Sequence, residues 1–153
     1  MINIFRMILV FLMVTSIGPS KRKPFFYDIP PVPLVLSATY YNAVEAQCNE
    51  EPHITACGFK VNMKNPSANR FVALSRDLIK PTEWHSVKSG YRHDAPFSFG
   101  DTILVRNSDH FDGFWIVADS MNERYNQQNR IDFLVSESYI AFDSGKSVEV
   151  YGI

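Results

Sequence analysis

The residues best equipped for chemistry are two carboxylates. Asp132 sits within an apolar alternation, between Ile131 and Phe133, and Asp119 closes the run Phe114-Trp115-Ile116-Val117-Ala118. A carboxyl flanked by bulky apolar groups loses part of its hydration, which raises its pKa and lets it give up and recover a proton near neutral pH. A second carboxylate close by pushes in the same direction. Each residue also has an ordinary reading, Asp119 as a turn residue after a strand and Asp132 as a surface partner of Arg130. The two readings separate on whether the fold brings both carboxylates into one groove with Thr55 nearby.

The remaining reactive side chains form no comparable constellation. Cys48 and Cys57 are nine positions apart with His53 between them, which is no zinc spacing, and His85, His93 and His110 add no ligand pattern. No metal and no cofactor is expected. In an exported chain the two cysteines read as one disulfide, Cys48 to Cys57, closing a short loop; two separate thiols are the alternative. Tyr40, Tyr41, Trp84, Trp115 and Tyr139 can stack on sugar rings, though core or surface packing is the simpler role for each.

The elements that must position these residues read as strands. Leu34–Tyr41 and Arg70–Ser75 are β-branched and aromatic runs, separated by a long irregular excursion around a short strand at Phe59–Val61. After a second irregular stretch, residues 80–100, Thr102–Arg106 and Phe114–Ala118 form a hairpin across the turn-prone Asn107-Ser108-Asp109. Asn129–Val135 turns Ile131, Phe133 and Val135 to one face and Arg130, Asp132 and Leu134 to the other. Residues 136–142 allow one helical turn capped by Ser136, and Lys146–Tyr151 is a last alternating strand. Six or more short strands with a token helix predict an all-β chain closed as a small barrel with long loops.

Composition agrees with one such domain. The chain has 153 residues, 46% hydrophobic and 14% aromatic, and its fifteen basic against sixteen acidic residues exclude a basic nucleic-acid binder. The first twenty residues differ in kind. Arg6 precedes the unbroken apolar run Met7–Val14, and the stretch to Ile17 is too short to span a bilayer as a helix but suits a signal peptide. Residues 1–20 thus read as a signal peptide or short N-terminal anchor, residues 21–34 with Pro24, Pro30, Pro31 and Pro33 as an extended tether, and 35–153 as the barrel domain. Export to the periplasm or cell envelope is expected; an uncleaved segment 7–17 would tether the protein to the membrane.

Five pieces in order, Thr55-Ala56-Cys57-Gly58, Phe71 to Leu78, Phe99 to Ile103, Val117-Ala118-Asp119 and Asn129 to Phe133, resemble the 3D (three-aspartate) domain over residues 36–152. That family is a double-psi β-barrel, found at the catalytic end of membrane-bound lytic transglycosylase A and in peptidoglycan enzymes of stationary phase and germination. The resemblance implies a six-stranded barrel acting, as a monomer, on peptidoglycan glycan strands. It implies cleavage of the bond between N-acetylmuramic acid and N-acetylglucosamine with a 1,6-anhydro product, Asp132 serving as general acid/base and Asp119 as its electrostatic neighbour. It carries substrate contacts to Thr55 and Asp77, with Ser75 competing for the position of the family's first aspartate, and Arg124 and Arg130 are candidates for the lactyl group or peptide-stem carboxylates. Ser120-Met121-Asn122-Glu123-Arg124 stands where the family commonly has a glycine turn. The competing class is a module on the same barrel that holds glycan or an envelope partner without cutting it.

Overall fold

The computed structural model describes residues 32–48, 51–139 and 145–153. The expected leader, and the tether up to residue 31, lie outside the described residues. Six strands follow in chain order: β1 (Leu34–Asn42), β2 (Phe71–Leu74), β3 (Thr102–Arg106), β4 (Gly113–Ser120), β5 (Arg130–Val135) and β6 (Ser147–Gly152). They close in the order β1-β5-β2-β4-β3-β6, so no strand edge is left unpaired. The helical content among the described residues is limited to short 3₁₀ turns.

Two pairs are parallel, β1 with β5 and β2 with β4, and the others antiparallel. Replacing each strand by the one three places along the chain, β1 by β4, β2 by β5 and β3 by β6, returns the same ring with the same pair directions. The barrel therefore has two interleaved halves, the crossed connectivity a double-psi barrel requires.

Alternation gives every strand one face on the barrel core. Leu36, Ala38, Val72, Leu74, Trp115, Val117, Ile131, Phe133, Val148 and Val150 belong to the barrel core. Aromatic contacts fix its centre: Phe111 stacks on Phe133 at 4.2 Å and Trp115 meets Phe133 edge-on at 4.8 Å. Trp115 is thus a core residue and not a sugar platform, whereas Trp84 is exposed. The opposite faces of β1, β2, β4 and β5 carry a second cluster, in which the excursion between β1 and β2 lays Ala43 and Val61 over Phe71, Ala118 and Leu134. Burying a Leu or Phe side chain contributes about 1.5–3 kcal/mol, so this layer holds the excursion on the barrel.

Two expected elements differ. Phe59–Val61 is no strand: residue 60 makes only a single bridge with Ile54, and Phe59 instead turns its ring onto Phe71 at 5.7 Å. At Ser136 the chain makes one hydrogen-bonded turn to Tyr139, and residues 140–144 lie outside the described residues.

Candidate functional site

The strand register assembles the site. Thr39 of β1 is opposite Asp132 of β5, Asp132 is opposite Ala73 of β2, and Ala73 is opposite Asp119 of β4. The four residues form one row across four neighbouring strands, on the outer face of the barrel. With strands about 4.8 Å apart, the two aspartates stand two strand spacings from one another, separated only by the methyl group of Ala73. A β-bulge between Val72 and Ala73 brings Asp119 into this row. A cleft of about 870 Å³ opens above it, lined by Asp119, Asp132, Ala73, Thr55, Tyr41 and Cys48.

The rows on either side set the electrostatics. Towards the excursion lie Tyr41, Leu134, Phe71 and Ala118, which strip water from the carboxylates. On the other side Ser75 exchanges two hydrogen bonds with Arg130, its N–H donating to the Arg130 carbonyl at 3.1 Å and its Oγ accepting from the Arg130 N–H at 3.1 Å. Burial pushes the Asp132 carboxyl up to about 6; the Thr39 hydroxyl and the Arg130 charge moderate the rise and the Asp119 charge adds to it. Oδ1 of Asp132 and Oγ1 of Thr39 are nonetheless buried without a completed hydrogen bond, so Thr39 acts through proximity and not through a normally formed bond.

Asp119 is fully held. Its Oδ1 accepts from the backbone N–H groups of Ser120 at 2.8 Å and Ala56 at 3.1 Å, and its Oδ2 accepts from the Tyr41 hydroxyl at 3.3 Å. Burial raises its pKa, and these three donors oppose the rise by favouring the anion. Tyr41 in turn is pushed well above the ordinary phenol range by burial, then by the nearby carboxylates, and remains a donor at neutral pH. The two aspartates therefore differ in kind: one is anchored on both oxygens, and the other keeps a buried oxygen whose hydrogen bond is not completed.

Thr55 lines the cleft, but its hydroxyl is spent on the local turn. Oγ1 accepts from Phe59 N–H at 3.1 Å, and the Gly58 N–H returns to the Thr55 carbonyl at 2.8 Å, a closure that needs Gly58 at a φ of +86°. This turn aims the Ala56 N–H at Asp119. Thr55 thus lines the cleft and also positions a donor to Asp119.

The expected Cys48–Cys57 disulfide is not formed; both cysteines are free. The sulfurs are committed to different partners, Cys48 to the Asn42 carbonyl at 3.4 Å and Cys57 to the Thr55 hydroxyl at 3.4 Å. The excursion has its own apolar cluster and does not need a staple. Burial, followed by the Asp119 charge, pushes the Cys48 thiol up, which keeps it protonated and unreactive.

Asp77 is not among the residues lining the cleft. Its Oδ1 accepts from the Gln127 N–H at 3.0 Å, so it ties the turn after β2 to the segment before β5. Arg124 is in the cleft wall, with its guanidinium 4.7 Å from the centre of the Tyr125 ring. Arg130 lies beside the cleft on the same face as Asp132, 4.4 Å from the same ring.

The far wall is built by Arg76, His85, Tyr91 and Ser120, none of them a site candidate from the sequence. Arg76 donates to the carbonyls of Met121 at 2.9 Å and Ser89 at 3.1 Å, and Tyr91 shares a 2.6 Å hydrogen bond with Ser120. His85 packs between Tyr91 and Phe99, where burial and the Arg76 charge lower its pKa and keep it neutral. The one local signal for the row was Ala73, a small residue within the bulky run Phe71-Val72-Ala73-Leu74. Compared with protein-family models, curated proteins and solved structures, the chain finds no match, and its site is characterised by this geometry.

Proposed function

We propose that the protein cleaves peptidoglycan glycan strands as a lytic transglycosylase, with Asp132 as the single general acid/base. The observation that carries the proposal is the row Asp132–Ala73–Asp119 on the floor of one cleft, one carboxyl lifted to about 6 and the other anchored by three donors. The resemblance to the 3D domain, whose acid/base corresponds to Asp132, supports the same assignment.

Near neutral pH a fraction of Asp132 carries a proton. In the proposed reaction it gives that proton to the oxygen leaving the muramic anomeric carbon, and the carbon–oxygen bond breaks. The resulting carboxylate takes the proton from the muramic C6 hydroxyl as that oxygen bonds to the same carbon. No water is consumed and Asp132 ends in its starting state. Asp119 stabilises positive charge developing at the anomeric carbon, and the hydrogen bonds that fix it in advance remove the need to reorganise during reaction. An exported location belongs to the same proposal, since the substrate lies in the cell envelope.

Mass spectrometry of purified peptidoglycan after incubation tests this reading. The expected products end in 1,6-anhydro-muramic acid. Reducing muramic ends would indicate a hydrolase, and retention on peptidoglycan without soluble products would indicate a binding module.

A further inference from the structure

Asp119 draws its hydrogen bonds from two kinds of donor. The N–H groups of Ser120 and Ala56 both reach Oδ1, and a backbone donor is there whatever side chain those positions carry. Among the described residues Oδ2 is held by the Tyr41 hydroxyl, at 3.3 Å. Tyr41 is on β1 and Asp119 on β4, with β5 and β2 between them in the barrel, so no strand pairing brings the two together. The length of the phenol does. Tyr41 also shares its face of β1 with Thr39, the β1 partner of Asp132, and Tyr41 lines the same cleft as both aspartates. Asp132 has no equivalent set of donors, and its Oδ1 is buried without a completed bond.

We infer that Tyr41 is a positioning residue: by holding Asp119 from across two strands, its hydroxyl decides which of the two carboxyls carries the proton. The inference deepens the proposed reaction and rests on it, since that reaction needs Asp132 protonated while Asp119 is ionised. A donor to a carboxylate favours the anion, so Tyr41 moves the loss of the Asp119 proton to lower pH and away from that of Asp132. Once charged, Asp119 disfavours a second charge on Asp132. The site then works in the pH window between the two losses. The other groups that face it leave this window in place. Cys48 from the excursion and Tyr91 from the far wall are both pushed up, chiefly by burial, and stay neutral through it. Arg130 beside Asp132, and Arg76 and Arg124 in the cleft wall, carry the fixed charge of a guanidinium. Glu51 in the wall is exposed, and the charge acting on His85 is that of Arg76.

Titration of the full chain by nuclear magnetic resonance, isotope-labelled at the Asp carboxyl carbons, tests the inference, with Asp119→Asn and Asp132→Asn assigning each midpoint. Tyr41→Phe keeps the ring and removes the donor. It should raise the Asp119 midpoint by about one pH unit, the tenfold change in proton affinity expected for one lost hydrogen bond to a charged group. In the pH profile of glycan cleavage the acid limb should move up by the same amount, while the alkaline limb, set by Asp132, stays in place. In the Asp119→Asn background Tyr41→Phe should leave the Asp132 midpoint unchanged. In the parent chain the Tyr41 Cζ resonance should follow the Asp119 midpoint, a readout that needs no variant. Unmoved midpoints in folded Tyr41→Phe, a lower rate with both limbs in place, an Asp132 shift that persists without Asp119, or a Cζ resonance that follows Asp132 overturns the inference alone. Midpoints that move as inferred in a protein that cleaves no peptidoglycan overturn the proposed activity alone, and unmoved midpoints without cleavage overturn both.

Discussion

Replacing Asp132 with Asn should make the folded protein more stable at pH 7. The unfolded chain releases this proton near pH 3.9, whereas the native carboxyl holds it until about 6. Between those values the native state binds more protons than the unfolded state, so stability falls as pH rises, by about 1.4 kcal/mol per unit. A gap of roughly two units integrates to about 3 kcal/mol, absent below pH 4 and fully developed above pH 6. Partial exposure of the residue and its coupling to Asp119 reduce the expected effect to about 1–3 kcal/mol. The Asn variant cannot ionise and escapes this penalty, while any fixed cost of the buried amide is the same at every pH. Urea unfolding of both proteins at half-unit steps from pH 4 to pH 7 gives the difference directly, and Asp119, present in both, cancels to first order. An advantage that fails to grow between pH 4 and pH 6 refutes the claim that burial holds this carboxyl in its acid form.

Asp119→Asn should lower the rate of glycan cleavage by about ten- to a thousandfold, as expected for loss of a single pre-organised charge, with muropeptide release as the assay. Ser75→Ala removes the acceptor for the Arg130 N–H at the start of β5 and should lower stability by about 1–3 kcal/mol in denaturant titration; an unchanged midpoint would mean that this bond holds nothing. Intact mass and thiol titration of denatured, non-reduced protein should find both Cys48 and Cys57 free. A mass lower by two hydrogens would restore the bridge expected from the sequence.

The strands were legible in the sequence because each carries its own alternation, and β3 occupies the segment Thr102–Arg106 read from it. Asp132 and Leu134 were rightly placed on the face opposite Ile131 and Phe133, since pleating depends only on parity. What could not be read is which strand lies beside which. The acid row exists because β5 inserts between β1 and β2, a long-range pairing with no local signature, and so Thr39 and Ala73 carried no mark of their position. Phe59–Val61 had strand-like residues but no long partner, and its aromatic ring found a better use against Phe71. Asp77 and Ser75 are two residues apart, yet one caps a turn at the surface and the other is fully buried at the β2–β5 junction. The cysteine pairing failed for a related reason: export chemistry argued for a bridge, but the local turn directed each sulfur to a nearer oxygen.

The central claim is that Asp132 alone passes the proton both ways. Digestion of one preparation of purified peptidoglycan by the parent protein and by folded Asp132→Asn, compared by mass spectrometry, tests it most directly. The parent should yield 1,6-anhydro-muramyl products and the variant none, because an amide keeps the shape but neither donates nor recovers the proton. Anhydro products from the variant at a rate near that of the parent, or no soluble product from the parent, would contradict it.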